Sequence, residues 1–412
     1  MYIDYEKIGE ILGFGKQFFY ERKVASNCAY IKKNIKRVKK RLKNKFPLKV
    51  VFYVYDSSRW KSQSLYDLMV KDERFEPLIV VTKNAAPENN MNYQMQEDIK
   101  KNYEFFKSRR MNVELGYDME KDEFIPFEKF EPDLIFYSHP WYVETSQGPV
   151  VCSKFALTYY VPYYISDTEE FFEYDLRFHR YIHRYYVPDE IIKNFYAPKM
   201  PDKGAKLRVV GHPQLDYYYL DKKEHQEKYV IYAPHWTVCG KNIRYGTFDW
   251  NGFEILEFAE KHPELNWVFK PHPALYRFLF TSGYMSQKEA DEYYARWEKA
   301  GMVYDTGDYM DLFQDSKLMI TDCGSFLIEY FVTGKPCIHL KSEAFKGNDF
   351  VREICNSYYE ASNLEELREF LKDVLLENHD PKKGERNRVL AKLSLKDTYC
   401  AQNIIEDLLR DL

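Results

Sequence analysis

The sequence predicts an α/β protein that contains two doubly wound domains. Apolar runs of strand length alternate with helical segments from Leu48 onward, which is typical of parallel sheets covered by helices. A charged stretch at 222–228 interrupts this series, and a second series begins at Tyr229. A chain of 412 residues is long enough for two domains, each with its own core. We therefore expect two domains that face a central cleft, with helical segments at both ends: a basic extension at 1–46, an N-terminal domain at 47–221, a C-terminal domain at 222–385 and a closing helix at 386–412.

The composition narrows the class of protein. The net charge is −4, with 60 basic and 64 acidic residues, so no overall field favours nucleic acid as a partner. The seven cysteines are odd in number, scattered and never spaced as Cys-x-x-Cys, which predicts reduced thiols of a cytoplasmic protein and no zinc site. No apolar run approaches 18 residues, so we expect a soluble or peripheral protein.

The N-terminal extension contains a strongly basic helix. Nine of the residues in 31–45 are Lys or Arg and none is acidic, while Ile31, Ile35, Val38 and Leu42 recur at helical spacing. Such a helix suits an anionic membrane surface. A solvated helix that lies over the first domain fits the pattern equally well.

In the first domain, predicted strands end in polar and aromatic turns. Val50–Tyr55, Pro132–Tyr137 and Leu157–Tyr160 are predicted as strands, and ligands of doubly wound sheets bind beyond the strands' carboxyl ends. The following turns are 56–60, 138–141 and 163–167. We therefore predict an acceptor-side surface made by Asp56, Ser58, Arg59, Trp60 and Tyr163.

In the second domain, three loops follow strand ends and are expected to converge. They are Ala233–Thr237, Pro271–Pro273 and Asp322–Ser325. Hydrogen-bond donors, positive charge and a helix N-terminus together suit a diphosphate. The predicted ligand groups are His235, Thr237, Lys270, His272, Asp322, Gly324 and Ser325.

The stretch 320–340 forms one predicted βαβ step. Ser325 is expected to cap a helix over Phe326–Thr333, which Gly334 would end, so that free N–H groups face a phosphate. Glu329 lies one turn after Ser325 on the same face and could accept hydrogen bonds from a ribose diol. An ordinary α/β crossover with a Ser cap is the alternative.

Absent motifs narrow the chemistry further. The sequence contains no G-x-x-x-x-G-K-[ST], G-x-G-x-x-G after a strand, G-x-S-x-G or H-E-x-x-H pattern, so kinase, dehydrogenase, serine hydrolase and zincin interpretations lose their support. A nucleotide held without a P-loop points to a group-transfer enzyme with an activated nucleotide donor.

Several motifs of the second half, taken in order, resemble the CDP-glycerol glycerophosphotransferase family, the teichoic-acid polymerases and primases of the GT-B fold. They are Tyr232-Ala233-Pro234, Phe269-Lys270-Pro271-His272-Pro273, Asp308-Tyr309-Met310-Asp311-Leu312, Ile320-Thr321-Asp322-Cys323-Gly324-Ser325 and Gly334-Lys335-Pro336, with Gly211-His212-Pro213-Gln214-Leu215-Asp216 upstream. The spacing Glu329-x4-Gly334-x-Pro336 is similar to the GT-B donor-site signature.

The resemblance implies two Rossmann-like domains and a reaction. A CDP-linked donor such as CDP-glycerol would bind in the second domain, an acceptor hydroxyl would attack its β-phosphorus, and CMP would leave. Neither a cofactor nor a catalytic metal is implied, and His272 with the Gly324-Ser325 helix end would stabilise the leaving diphosphate. The implied acceptor is a cell-surface glycan or a lipid-linked glycan, as in teichoic-acid or capsule synthesis.

The sequence departs from the family on the acceptor side. The family's Trp-His-Gly-Thr-Pro motif, whose His is a candidate base, is replaced here by 158–163 (Thr-Tyr-Tyr-Val-Pro-Tyr). His139 and Asp167 follow strand ends and are the substitutes, although a structural role suits either. The family's Asp-Tyr-Ser-Ser is here Asp-Cys-Gly-Ser at 322–325.

Three functions therefore remain open. The first is transfer of a polyol phosphate from a CDP-linked donor by a cytoplasmic enzyme, peripheral on the inner face of the cell membrane through 31–45. The second is a GT-B glycosyltransferase with a nucleotide-sugar donor in surface polysaccharide synthesis. The third is a binding module for nucleotide or glycan that has lost its catalytic base.

Overall fold

The fold is that of a computed structural model, which describes residues 16–88, 93–238, 245–304, 309–393, 395 and 398–412. The chain forms two compact units. Unit 1 contains Met1–Tyr163, Glu170–Gln214 and Tyr399–Leu412, and unit 2 contains Tyr164–Glu169 and Leu215–Thr398. These groupings differ from the predicted boundaries in three places: the segments 164–169 and 215–221 belong to unit 2, and the last helix belongs to unit 1.

Unit 1 is built on a parallel sheet of seven strands in the order β3-β2-β1-β6-β7-β8-β9. The strands are Leu48–Val54 (β1), Phe75–Val81 (β2), Val113–Leu115 (β3), Leu134–Tyr137 (β6), Leu157–Tyr160 (β7), Arg184–Val187 (β8) and Leu207–Val209 (β9), and a small antiparallel pair is formed by Tyr117–Asp118 (β4) and Glu123–Phe124 (β5). The strand order reverses at β1, which pairs with both β2 and β6. This reversal is the place where a doubly wound sheet opens a ligand crevice.

Helices cover the sheet of unit 1. They are Lys16–Leu42 (α1), Gln63–Lys71 (α2), Gln96–Ser108 (α3), Pro149–Cys152 (α4), Arg177–Tyr181 (α5) and Glu190–Tyr196 (α6). The C-terminal helix Cys400–Asp411 (α16) also belongs here, because its buried face, including Ile404 and Leu408, joins the core that contains Leu48 and Val50. An amphipathic helix is stabilised where its apolar face is buried, which explains why this helix leaves the unit that precedes it in sequence.

The basic helix α1 lies on unit 1. Ile31, Val38 and Leu42 are buried, so the apolar face is used within the fold. Lys39 pairs with Asp411, and Arg41 and Lys45 both contact the buried carboxylate of Asp133. Lys32, Lys33, Lys36 and Lys40 are exposed, as is Lys43 directly after the helix. The apolar stripe is therefore packed against protein, and a membrane would meet only the charged side.

Unit 2 is built on a parallel sheet of six strands in the order β12-β11-β10-β13-β14-β15. The strands are Tyr229–Ala233 (β10), Trp267–Phe269 (β11), Gly301–Val303 (β12), Ser316–Thr321 (β13), Cys337–Leu340 (β14) and Tyr359–Ala361 (β15). Strands β10 and β11 read as continuous apolar runs because helices cover both faces. The order reverses at β10, which pairs with both β11 and β13.

Helices and an aromatic core stabilise unit 2. The helices are Asp216–Leu220 (α7), Phe248–Lys261 (α8), Leu275–Thr281 (α9), Gln287–Ala300 (α10), Met310–Gln314 (α11), Gly324–Phe331 (α12), Asp349–Asn356 (α13), Leu364–Phe370 (α14), which continues as a π-helical turn over Leu371–Leu376, and Lys383–Leu393 (α15). Trp297 of α10 is fully buried and stacks on Phe269 with ring centroids 4.8 Å apart. This contact fixes α10 against the strand that ends at Lys270.

Sequence and structure differ most where short elements occur. Strand β15 was not predicted, because a run of three residues carries too little periodicity to identify, and helices α9 and α13 were not predicted either. Predictions for residues 1–15, 89–92 and 305–308, including Asp308, fall outside the described residues. Among the helices that are described, each one is too short or too polar to cross a bilayer.

Candidate active site

Three loops meet where the strand order of unit 2 reverses. They follow β10, β11 and β13, the strands on either side of the reversal. The backbone N–H of His235 donates to Asp322 Oδ1 at 2.6 Å, and the N–H of His272 donates to the carbonyl of Pro234 at 3.0 Å. The rings of His235 and His272 are 5.6 Å apart. The structure therefore brings together the three loops on which the sequence places the diphosphate groups.

The buried carboxylate of Asp322 holds these loops in place by hydrogen bonds. Its carboxylate is 4 % exposed and accepts hydrogen bonds from the His235 N–H, the Thr247 N–H at 2.6 Å and the Thr247 hydroxyl at 2.9 Å. Burial outweighs these hydrogen bonds and raises the pKa of Asp322. Asp322 thus acts on the site by positioning the loop after β10 and the start of α8, and not as a solvent-facing ligand group.

His235 is held in one tautomer by Thr237. Nδ1 of His235 accepts the Thr237 N–H at 3.3 Å and lies 2.9 Å from Thr237 Oγ1, while Oγ1 accepts the N–H of Gly246 at 2.8 Å. Burial, with the nearby His272, lowers the pKa of His235 to about 3. The ring is therefore neutral at pH 7, and its proton lies on Nε2. Thr237 is 1 % exposed, so its role is to fix the orientation and tautomer of the His235 ring.

His272 has a similar arrangement. Its Nδ1 accepts the backbone N–H of Ala274 at 3.1 Å, which leaves Nε2 as the donor of the neutral ring. Burial, with the positive charge of Lys270, lowers the pKa of His272 to about 4. The sequence predicts positive charge at this position, whereas the structure shows a neutral hydrogen-bond donor at pH 7.

Helix α12, which follows the loop of Asp322, begins two residues earlier than predicted. Cys323 is the N-cap, and Gly324 and Ser325 are the first two residues of α12, so Ser325 is not the cap. Gly324, Ser325 and Phe326 are all partly exposed, whereas Leu327 to Phe331 are buried. The first N–H groups of a helix have no partner within the helix and carry the positive end of its dipole. A half-buried helix start is a suitable place for a phosphate.

Lys270 and Glu329 form the inner part of the site. Glu329 is 6 % exposed and accepts a hydrogen bond from the Tyr309 hydroxyl at 2.5 Å. The ammonium of Lys270, also 6 % exposed, lies 4.7 Å from the Tyr309 ring centroid and 5.5 Å from that of Phe326. A desolvated cation over aromatic faces is stabilised by about 2 kcal/mol or more. Lys270 therefore holds the rings of Tyr309 and Phe326 in place and contributes positive potential near the start of α12.

Trp236 belongs to the same surface and was not among the predicted site residues. Its half-buried ring lies 5.6 Å from His235 and 6.2 Å from His272, and it packs edge-on against Phe278 at 4.5 Å. A flat aromatic side chain beside two histidine donors is suited to contact with an apolar or aromatic part of a ligand. Its position directly after His235 at a strand end was the signal in the sequence.

Asp167 lies in unit 2, although the sequence places it in the acceptor-side domain. A Cβ atom added to Gly324 would lie 1.7 Å from Asp167 Oδ2, so the carboxylate is packed against the first residue of α12. Burial raises the pKa of Asp167 to about 6. The residue is thus part of the loop set around the helix start.

The predicted acceptor-side residues of unit 1 follow β1. Asp56 Oδ1 accepts the backbone N–H of Ser58 at 2.9 Å and its hydroxyl at 2.8 Å, which caps the short helical turn Ser57–Arg59. Asp56 Oδ2 lies 3.6 Å from Nε of Arg59. Trp60 donates its indole N–H to Gln63 at 2.9 Å. These residues are partly or fully exposed, and their turn lies at the strand reversal of unit 1.

His139 and Tyr163 form an aromatic group with Arg59. The Arg59 guanidinium lies 5.2 Å from the Tyr163 ring centroid, and the His139 ring lies 6.4 Å from it. His139 is 3 % exposed, and burial, assisted by Arg59, lowers its pKa to about 3. Within the described residues its Nδ1 has no hydrogen-bond partner. A histidine of such low basicity is a weak proton acceptor at neutral pH.

Two parallel, doubly wound sheets, each with its loop set at the strand reversal, define a protein of the GT-B class. Solved structures with this fold include UDP-GlcNAc 2-epimerase from Neisseria meningitidis bound to UDP-GlcNAc, which is 14 % identical, covers 88 % of this chain and 100 % of its own, and has a TM-score of 0.57. UDP-GlcNAc 2-epimerase from Methanocaldococcus jannaschii is 14 % identical over 88 % and 99 % of the two chains, with a TM-score of 0.51. Anabaena HepE in complex with UDP and glucose is 10 % identical over 88 % and 100 %, with a TM-score of 0.50. At these identities the likeness establishes the fold alone.

The sequence assigns the family. Residues 49–388 match the family described as CDP-glycerol:poly(glycerophosphate) glycerophosphotransferase, and the chain belongs to that family. No curated protein matches the sequence closely enough to stand as a relative. Membership of this family makes the protein a transferase.

Proposed function

We propose that the protein transfers a polyol phosphate, glycerol phosphate or a close analogue, from a CDP-linked donor to a hydroxyl of a glycan or lipid-linked acceptor and releases CMP. The observation that carries this proposal is the loop set of unit 2, in which His235, His272 and the start of α12 lie at the strand reversal. The family match supplies the chemical class of donor and acceptor.

The loop set supports a diphosphate because it offers several hydrogen-bond donors at one place. His235 and His272 each present an Nε2–H, and α12 adds its first backbone N–H groups. When the acceptor oxygen attacks the β-phosphorus, negative charge grows on the leaving CMP, and preorganised donors stabilise that charge without rearranging. Loss of one such donor lowers kcat by about 10²- to 10³-fold.

In a reaction without a metal, the residues of the loop set would have two kinds of role: some would contact the donor, and others would hold the loops in place. His272 and Ser325 would contact the diphosphate, and Glu329, on the inner turn of the same helix, would accept hydrogen bonds from the ribose. Asp322 and Thr237 would act by holding the loops, since their side-chain oxygens accept backbone N–H groups of His235, Thr247 and Gly246. CDP-glycerol is a substrate, and the proposed reaction needs no cofactor.

Nucleotide binding and CMP release test the proposal. Purified protein is incubated with CDP-glycerol or CDP-ribitol and a short poly(glycerol phosphate) oligomer, and CMP is quantified, while calorimetry measures CDP affinity. We expect CMP release that falls about 10²- to 10³-fold in His272→Ala. Wild-type protein that neither releases CMP nor binds CDP would refute the proposal. Binding of CDP with no turnover would instead favour a binding module.

A nucleotide-sugar donor is the second candidate, because proteins of the same fold were solved with UDP-GlcNAc or with UDP and glucose. The two candidates differ in the nucleotide that binds. A thermal-shift series with CDP, UDP, GDP and CMP separates them, since a ligand stabilises the folded state by RT ln(1 + [L]/Kd). A larger shift with UDP than with CDP would favour sugar transfer.

We further propose that the exposed lysines of α1 attach the protein to the anionic inner face of the cell membrane. These are Lys32, Lys33, Lys36 and Lys40, together with Lys43 directly after the helix. Lysines near such a surface contribute about 1 kcal/mol each, and salt screens them. Because Val38 and Leu42 are part of the core, glutamine substitution of the five lysines is a cleaner test than deletion of the helix.

Sedimentation with phosphatidylglycerol vesicles measures this attachment. A matched control replaces five exposed lysines of unit 2, namely Lys261, Lys288, Lys299, Lys341 and Lys372. We expect the α1 variant alone to lose salt-sensitive sedimentation. Equal loss in both variants would mean that overall charge, and not α1, attaches the protein.

A further inference from the structure

The segment 164–169 belongs to unit 2, although the chain on both sides of it belongs to unit 1. Asn348 holds it in place. The Asn348 side-chain amide donates to the carbonyls of Ser166 at 2.8 Å and Thr168 at 3.3 Å, and its backbone N–H donates to the carbonyl of Asp167 at 2.9 Å. Asn348 is 3 % exposed, so three hydrogen bonds from one buried residue fix this short excursion of the chain.

The segment 164–169 places Asp167 next to the start of α12. Oδ2 of Asp167 would lie 1.7 Å, and its Cγ 2.9 Å, from a Cβ placed on Gly324, so only glycine admits the carboxylate at that position. The first turn of α12 contains no acidic residue, and Gly324 is where the donor diphosphate is proposed to bind. A carboxylate beside the reacting phosphate, but attached to a different segment, is placed as a proton acceptor would be.

We propose that Asp167 is the general base that takes the proton of the acceptor hydroxyl, and that Asn348 is its positioning residue. This inference rests on the proposed transfer from a CDP-linked donor. It supplies the acceptor-side base that the chain lacks at 158–163, where the family's histidine motif is replaced.

The step balances without a further reactant. The acceptor oxygen forms a bond to the β-phosphorus while its proton passes to the Asp167 carboxylate. The bond between that phosphorus and the bridging oxygen breaks, and CMP leaves with the electron pair. The product is the acceptor extended by one polyol phosphate, and Asp167 returns its proton to solvent.

The surroundings of Asp167 favour this role over His139. Burial raises the pKa of Asp167 to about 6, whereas burial lowers the pKa of His139 to about 3. A base is most effective when its pKa lies near the working pH. From α13, the Cys355 thiol faces Asp167 but is neutral, because burial raises its pKa to about 12, and Arg352 is paired with Glu169 and Asp349.

Asp167→Asn tests the inference, with Glu169→Gln as the matched control. Glu169 lies on the same segment but is exposed and pairs with Arg352. CMP release from CDP-glycerol with a poly(glycerol phosphate) oligomer gives kcat and KM from pH 5 to 9, and calorimetry gives CDP affinity. We expect Asp167→Asn to lose about 10²- to 10⁴-fold in kcat, with CDP bound as tightly as by wild type or more tightly. Glu169→Gln stays within about twofold of wild type, as expected of a surface pair.

The pH profile separates a base from a structural residue. Wild type is expected to lose activity below pH 6, and Asp167→Asn is expected to lack this acidic limb. Asp167→Asn that retains more than about a tenth of kcat, or keeps the acidic limb, would overturn the inference, because a general base contributes at least about 10²-fold. Wild-type protein that binds no CDP and releases no CMP would refute the proposed function instead.

Discussion

Replacement of Asp322 by Asn tests whether one buried carboxylate assembles the loops of unit 2. The two oxygens of Asp322 accept two backbone N–H groups, each at 2.6 Å, and one hydroxyl. Asparagine has the same shape but only one acceptor oxygen. Its NH₂ group must therefore face the N–H of either His235 or Thr247, which leaves that donor unpaired.

The magnitude follows from the unpaired donor. A buried N–H without a partner costs about 1–3 kcal/mol. Because burial already raises the pKa of Asp322, loss of the charge itself adds little, and we expect about 2 kcal/mol in all. For a unit of this size, such a loss lowers the melting temperature by about 4–8 °C.

Thermal unfolding and CDP calorimetry are the assays. Asp291→Asn is the control, since Asp291 is an exposed residue of the same unit that accepts one hydrogen bond from Tyr276. We expect the control to melt within about 2 °C of wild type, as surface substitutions usually do. We expect Asp322→Asn also to bind CDP more weakly, because His235 loses its support. A melting temperature and a CDP affinity equal to those of the control would refute this reasoning.

Three further predictions concern His272, His225 and Trp297. The pKa of His272 is lowered to about 4 in the free protein, and a bound diphosphate should raise it, so that binding takes up a proton. The affinity for CDP-glycerol, measured by calorimetry, should therefore rise as pH falls from 7.5 to 5.5. His272→Gln keeps a hydrogen-bond donor but cannot take up the proton, so its affinity should depend less on pH. His225 lies 2.6 Å from Asp221 and 3.0 Å from Asp315, and these carboxylates raise its pKa. The two pairs stabilise the fold fully below about pH 6.5, and this stabilisation is lost as pH rises through the pKa of His225 in the folded protein. The decrease in melting temperature caused by His225→Gln should therefore be larger at pH 5.5 than at pH 9. An equal deficit at both pH values would contradict that assignment. Trp297→Ala removes a fully buried ring stacked on Phe269 and should cost about 3–5 kcal/mol in the free energy of unfolding, against less than about 1.5 kcal/mol for the conservative Met310→Leu.

The doubly wound fold could be predicted because parallel strands leave a clear signal. Leu157–Tyr160 has the predicted bounds, and β1 and β6 differ from the predicted strands by one or two residues at their ends. These strands are buried on both faces, so their apolar runs are continuous. The unit boundaries were less predictable, because the crossing of 164–169 depends on hydrogen bonds to Asn348, which lies far away in the sequence.

The candidate site was predictable in position but not in charge. Strand ends identified the loops of His235, His272 and Gly324, because the carboxyl ends of parallel strands meet at one edge. The protonation states depend on burial and on hydrogen bonds to Nδ1, which no local pattern encodes. Asp167 shows best what the sequence does not predict. The chain on both sides of its segment belongs to unit 1, whereas its contacts place it in unit 2.

A crystal structure with bound CDP would locate the donor site. We expect the diphosphate to lie against the start of α12 at Gly324 and Ser325, within hydrogen-bond distance of Nε2 of His272. We expect the ribose to lie on the Glu329 side of that helix. CDP bound elsewhere in unit 2, or a diphosphate that contacts neither His272 nor the start of α12, would show that this donor site is wrong.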